Sequence, residues 1–458
     1  MRNALFTDIN DEEFDKDLAL MQGSTRSQLA PALRVALIVA PVILGGWFLY
    51  IAISSYAPLL SRPIALPESG SDALMFDDFV VFHTAGKVIN DIGGAVYDPE
   101  TISPLQAQQT GQAADRVAVL PYFNPPPALL PFALLGLLSL GPAAIVWLTG
   151  GALLALAGLR ALALRIDASP EAALVLALGA FSSLPVYQAV VHGQMTFVLL
   201  AGFCLFGAGI LRPGRSGYVV LGLVLLAVKP VFLPLPLLYL VLRGRFQLLL
   251  RFAAVEVLLF LIASALFGTH VPLDYASMSV EALSWDEVNG ISTYGMFGWT
   301  GFWRGILGPD VHLPQMALTA LSALVTVAVF AATFARTDNP RLALSAIVVG
   351  ALLISPHSYA QDLVLLVIPV LMLMQEYRDS RLFYAVGLLA WFAAFVHFDT
   401  LTLTGVGAAN LGIIVLAGFV FARAAALRMP RVGARMAAVN RRPATIEIAF
   451  SQADAAGG

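Results

Sequence analysis

The sequence predicts an all-α polytopic membrane protein of about twelve transmembrane helices, and three observations predict it. The chain is 59% hydrophobic and only 12% charged, whereas soluble domains carry roughly 25% charged residues. Its mean hydropathy is +0.82. Apolar stretches recur from about residue 35 to residue 427, and roughly 20 helical residues cross a bilayer core about 30 Å thick. These stretches do not alternate polar and apolar residues, as the strands of a membrane barrel would. A formal charge of −3 points to no nucleic-acid partner. The single cysteine, Cys204, excludes an internal disulfide and argues against a thiolate metal site.

Taken in order, residues 1–34 carry Asp8, Asp11, Glu12, Glu13, Asp15 and Asp17 and lack the basic start of a secretory signal. They read as an acidic cytoplasmic tail, and the first apolar run (35–55) as an uncleaved first span. Lysine and arginine concentrate in cytoplasmic loops, and this asymmetry sets the threading of the rest. A large outside loop at 56–140 precedes the second span, 141–164. Spans 3 and 4 flank an outside turn at His192-Gly193-Gln194, and two short spans flank Lys229-Pro230. Span 7 leads to a second large outside loop, 268–313, and span 8 returns to Arg336. Spans 9 and 10 flank Ser355 to Asp362, and spans 11 and 12 end at Arg423, before a basic tail at 428–458. Only Arg62, Lys87, Arg116, Lys229 and Arg304 then lie outside, 5 of the 26 basic residues. Residues 35–427 form one integral membrane domain with both termini in the cytoplasm.

In the first loop, Phe79, Phe82, Gly86 and Ile89 recur at helical spacing and predict an amphipathic helix on the membrane surface. Asp77 and Asp78 sit at its amino end, where the helix dipole favours an ionised carboxylate. Either one caps the helix or acts chemically, and their side chains point in different directions. Asp98-Pro99 and Ser103-Pro104 open a second short helix. Tyr122 and Asn124 precede Pro125-Pro126-Pro127, where 124–138 reads as a short helix dipping into the outer leaflet. Structural punctuation is the first reading of those two residues, and a site role the second.

This threading brings Asp77, Asp78, His192, Gln194, Lys229, His357, Gln361 and Asp362 to the outer ends of helices. Ionisable groups near a membrane default to a functional hypothesis. Lys229 interrupts an uncharged run and is followed by a helix-breaking proline. It either snorkels to lipid headgroups or meets a phosphate. Gly193 lets backbone approach a ligand closely, although a turn alone also explains it. One histidine and a carboxylate do not make a metal site, so no metal is assigned. Trp285, Trp299 and Trp303 suit an interfacial aromatic belt, and Glu256 is expected to lean toward Arg251.

Asp78-Phe79, Val80-Val81-Phe82, Tyr97-Asp98-Pro99, the PYFNPPP run at 121–127, Gly193-Gln194, Lys229-Pro230 and Ser355-Pro356-His357, in this order, resemble glycosyltransferase family 87. The likeness spans about residues 70 to 380. It implies the glycosyltransferase C-like fold of polyprenyl-phosphate-mannose-dependent mannosyltransferases. It further implies inverting transfer of a hexose from a polyprenyl-phosphate donor to a lipid or glycan acceptor, on the periplasmic face of a bacterial inner membrane. Mannose is the best-known donor sugar of the family. By the resemblance Asp78 is the general base, Lys229 and Gln194 lie near the donor phosphate, and no cofactor is implied; from the chemistry of a departing phosphate, His357 is expected to stabilise it together with Lys229. Asp77, His192, Tyr122, Asn124, Gln361 and Asp362 are candidate supporting residues. Many relatives carry an aromatic and a histidine after the Ser-Pro, where this chain has Tyr359 and Gln361 and its histidine at 357. The rival reading is a secondary transporter or flippase for a lipid-linked or polar solute. Such sites lie near the midplane on paired repeats, and no repeat is visible here.

Overall fold

A computed structural model describes residues 77–110 except Gly94, 121–166, 182–281 except Pro213, 295–335 except Pro309 and Asp310, 338–377 and 396–426, with scattered single residues elsewhere. The acidic leader, most of the first span, the eleventh span and the basic tail lie outside the described residues, as does Trp285. Among the described residues the chain is helical, with one isolated antiparallel bridge between Phe297 and Ser358. Four described helices are long and apolar enough to cross a membrane.

Helix α1 spans Asp77–Asp91 and α2 spans Pro99–Thr110. The Asp98 carboxylate starts α2, accepting from the Glu100 amide at 3.1 Å and the Thr101 hydroxyl at 2.7 Å. A 3₁₀ turn at Pro126–Ala128 leads into α3, Leu129–Leu135, and then α4, Leu140–Ile166. The proline-started short helix ahead of a long span is therefore present.

The surface helix expected in the first loop is not. Helix α1 is buried on nearly every side from Phe79 to Ile89, including His83 and Thr84, so it does not lie on a lipid surface by one face. Two glycines account for this. A Cβ on Gly86 would stand 1.9 Å from the Phe132 carbonyl oxygen, and one on Gly136 would stand 2.5 Å from the Gly86 carbonyl carbon. Only glycine lets α1 and α3 approach backbone to backbone. Phe82 then stacks on Phe132, with ring centroids 4.9 Å apart.

Further along, α5 (Leu184–His192) ends on Gly193, whose φ of 65° is left-handed, and α6 spans Thr196–Leu211. Next come α7 (Ser216–Leu226), a 3₁₀ turn at Pro230–Phe232, α8 (Pro234–Leu242) and α9 (Phe246–Phe267). The stretch between α9 and the next long helix contains α10 (Val271–Glu281) and α11 (Gly298–Leu307). The chain continues with α12 (His312–Phe334), α13 (Pro340–Ile354), a 3₁₀ stretch at Ala360–Leu366, α14 (Val367–Tyr377), α15 (His397–Thr404) and α16 (Ala408–Ala426).

Helices α6 and α13 are the buried centre, while α9 and α12 turn Leu250, Leu261, Leu266, Leu321 and Leu324 outward. Apolar side chains exposed in rows along long helices suit lipid as solvent. Gly158 against Ala201, and Gly222 against Gly202, bring α4 and α7 close to α6. The Trp299 and Trp303 indoles donate to Thr326 and Ser322 of α12, each at 2.9 Å, so they fasten α11 to α12. Arg251 donates to Ser216 at 3.0 Å, and Glu256 Oε1 is buried with no hydrogen-bond partner among the described residues. The expected lean of Glu256 toward Arg251 is absent.

Candidate active site

The break at Lys229-Pro230 follows from proline, which has no N–H and cannot continue α7. Backbone freed at such a break needs a partner. The Asn124 amide supplies it, donating to the Val228 carbonyl at 2.8 Å, and Tyr97 Oη in turn donates to the Asn124 carbonyl at 2.7 Å. Asn124 is thus a brace for the Lys229 break. Tyr122 is fully buried between Phe82, Tyr97 and Phe132, its hydroxyl without a hydrogen-bond partner among the described residues.

The ammonium of Lys229 pairs with Asp362, with Nζ 2.8 Å from Oδ2, and stands 5.3 Å from the centroid of the Phe232 ring. Asp362 is 1% exposed and Lys229 21%, so the pair sits at the rim of the buried region with its carboxylate inside. The same Oδ2 accepts from the Tyr359 amide at 3.1 Å, and Thr196 Oγ1 stands 3.5 Å from Oδ1. One buried carboxylate therefore joins the start of α6, the lysine break and the turn that carries His357.

Gln194 donates its side-chain amide to Asp78 Oδ2 at the start of α1. Gln194 and Thr196 flank Met195 at the entrance to α6, so this one entrance reaches both aspartates. The Gly193 turn makes that possible, because its left-handed backbone ends α5 and redirects the chain at once. The side chain of Asp77 lies outside the described residues. His192 bonds Gln188 one turn back on its own helix at 2.7 Å.

His357 is open to solvent by surface area, yet protein surrounds it closely. Burial first, and the Lys229 charge second, lower its pKa from 6.5 to about 4. It is a neutral imidazole at pH 7 and so offers one N–H but no charge. Its turn is held by Phe297, which donates its amide to the Ser358 carbonyl at 2.6 Å, and the neighbouring Gly298 is itself held to α16 by donating to Asn410 Oδ1 at 2.9 Å. The hydroxyls of Ser355 and Ser358 are buried without hydrogen-bond partners among the described residues. Gln361 is buried beside Asp362.

Sequence reasoning missed Thr196 and the Phe297–Ser358 pairing. Thr196 carried a faint signal, a hydroxyl two residues beyond Gln194, whereas the pairing of two loops some sixty residues apart carried none. The arrangement offers a hydrogen-bonded carboxylate that can take a proton, a cation held ready, and a neutral N–H donor.

A family model described as Glycosyltransferase family 87 matches residues 122–356, a little over half of the chain. The match includes Gln194, Thr196 and Lys229; Asp78 lies before it, and His357 immediately after it. No curated protein and no solved structure matches the chain.

Proposed function

The chain belongs to glycosyltransferase family 87, and on that premise we propose that it transfers a hexose, with inversion, from a polyprenyl-phosphate donor to a lipid or glycan acceptor. The observation that carries this reading is the convergence of Asp78 and the Lys229–Asp362 pair on the two sides of one helix start, through Gln194 and Thr196. A carboxylate and a cation so linked suit the two ends of a glycosyl transfer.

In the proposed step the acceptor hydroxyl gives its proton to the Asp78 carboxylate as its oxygen bonds to the anomeric carbon. The bond from that carbon to the donor phosphate breaks, and its electron pair stays on the phosphate. Negative charge therefore grows on the leaving group, where Lys229 still has N–H donors to spare and His357 adds a neutral one. Gln194 keeps the Asp78 carboxylate oriented. The site faces the periplasm in a bacterial inner membrane in this reading, and the transfer needs no metal ion. Mannose is the sugar that the resemblance favours.

Reconstitution into sealed liposomes with labelled polyprenyl-phosphate hexose tests the proposal. The expected result is label moved onto an acceptor, undiminished by a chelator. Label that crosses the bilayer without changing its covalent attachment would favour the transporter or flippase reading. Transfer from nucleotide sugars alone would overturn the lipid-linked donor.

A further inference from the structure

We infer that Asp362 is the positioning residue of this site: it fixes the Lys229 ammonium and the His357-bearing turn in one geometry relative to Asp78. This rests on the glycosyl-transfer reading and assigns that reaction a residue that touches neither sugar nor acceptor. Four contacts carry it. The Lys229 ammonium lies 2.8 Å from Asp362 Oδ2, the Tyr359 amide 3.1 Å from the same oxygen, and Thr196 Oγ1 3.5 Å from Oδ1. The fourth is the Gln194 bond to Asp78, which ties the same stretch of chain to the proposed base.

The carboxylate is 1% exposed, so it is not a surface charge that happens to lie near a lysine. Taking an ionised group out of water requires such partners. What they achieve together is a rigid spacing. A lysine has four rotatable stem bonds and by itself fixes nothing. Held by Asp362, its remaining N–H bonds point in set directions toward the rim. The Tyr359 amide, accepted by the same carboxylate, holds His357 two residues earlier in register with it. Displacing a charge-stabilising group by about 1 Å can cost on the order of 100-fold in rate, so the anchor matters to the chemical step more than to donor capture.

Purified full-length protein in lipid nanodiscs, with a labelled polyprenyl-phosphate hexose, supplies the test. Asp362→Asn should lower the single-turnover rate by about ten-fold or more while donor Kd changes by less than about three-fold. Lys229→Met should then cost little further in the Asp362→Asn background, because the lysine is already misplaced. Lys229 should also react several-fold faster with an amine-acylating reagent in Asp362→Asn, read by mass spectrometry, since the carboxylate no longer holds it. A wild-type single-turnover rate per folded molecule in Asp362→Asn, or losses that multiply in the double variant, would overturn the assignment. If Asp362→Asn does not accumulate, Asp362→Glu keeps the buried charge and moves it by one methylene, and a wild-type rate there is equally fatal. Absence of transfer in the wild type would defeat the functional reading alone. Acylation then still decides: an unchanged rate at Lys229 shows that Asp362 does not hold it.

Discussion

Lys229 and Asp362 lie 133 positions apart in the chain and meet as an ion pair, with Nζ 2.8 Å from Oδ2 and the carboxylate buried. The lysine is therefore held in place by a carboxylate, with N–H donors left over for a phosphate. Its charge is already answered, and it can be removed only at the expense of its partner.

Lys229→Met should destabilise the protein as well as slow it. Breaking a buried pair from one side typically costs about 3–5 kcal/mol, and partial exposure of the lysine places the effect near the lower end. Thermal unfolding in detergent should show a large loss for Lys229→Met and substantial recovery in Lys229→Met/Asp362→Leu, because both charges are then gone. Recovery of stability without recovery of transfer would separate the lysine's structural role from its catalytic one. Equal stability of the single and double variants would mean that the pair is not formed.

Asp78→Asn should fold, insert and still accept a hydrogen bond from Gln194, yet lose about 10²- to 10⁴-fold in transfer, the range typical of a general base. Asp77→Asn should retain substantial activity, since asparagine caps a helix about as well as aspartate. The comparison is made at equal amounts of folded, detergent-extracted protein. Mild, matched losses in both variants would return the two aspartates to helix capping.

The His357 imidazole titrates near 4 in the folded protein, held down by burial and by Lys229, against 6.5 without those influences. Between those values the unfolded chain binds the proton and the folded one does not, so stability rises with pH in that window. The contribution is complete above about pH 6.5 and is lost as pH falls toward 4. Thermal melts of His357→Gln should therefore show a shallower loss between pH 6.5 and 4 than wild type. Because the neutral ring offers only an N–H, His357→Gln should keep more transfer at pH 7 than His357→Ala. Equal rates for the two would remove the hydrogen bond from the proposed mechanism.

Gly86→Ala should separate α1 from α3. Its new Cβ would fall 1.9 Å from the Phe132 carbonyl oxygen, which is backbone and cannot swing away. Overpacking of this kind costs about 1–3 kcal/mol or more. Transfer should fall too, because α1 carries Asp78. Among the described residues Gly46 has no atom within 4 Å of an added Cβ, so Gly46→Ala serves as the control, and its melting temperature should match wild type. A Gly86→Ala variant as stable as that control would mean that the two helices do not pack this closely.

The class of this protein was legible in its sequence because composition and run length decide which solvent a chain needs. The start of α4 within one residue of its expected position, the short proline-started helix before it, and the break at Lys229 were legible for similar local reasons. Most of the polar residues that the structure brings together around Lys229 and Asp78 were visible too, since an ionisable group amid apolar residues stands out. Helix α1 marks where this stopped. Its 3- to 4-residue apolar spacing predicted a face toward lipid, but lipid and protein interior are both apolar, and spacing cannot tell which one covers the face. Gly86 and Gly136 decided it only by meeting each other. The pairings at the site were undetermined for a related reason. Asp78 had several outer-end polar groups as potential partners, and so did Lys229. Which two met was set by the Gly193 turn and the packing of α6 against its neighbours, because hydrogen bonds and ion pairs form over about 3 Å and only the tertiary structure brings residues 78 and 194, or 229 and 362, within that reach.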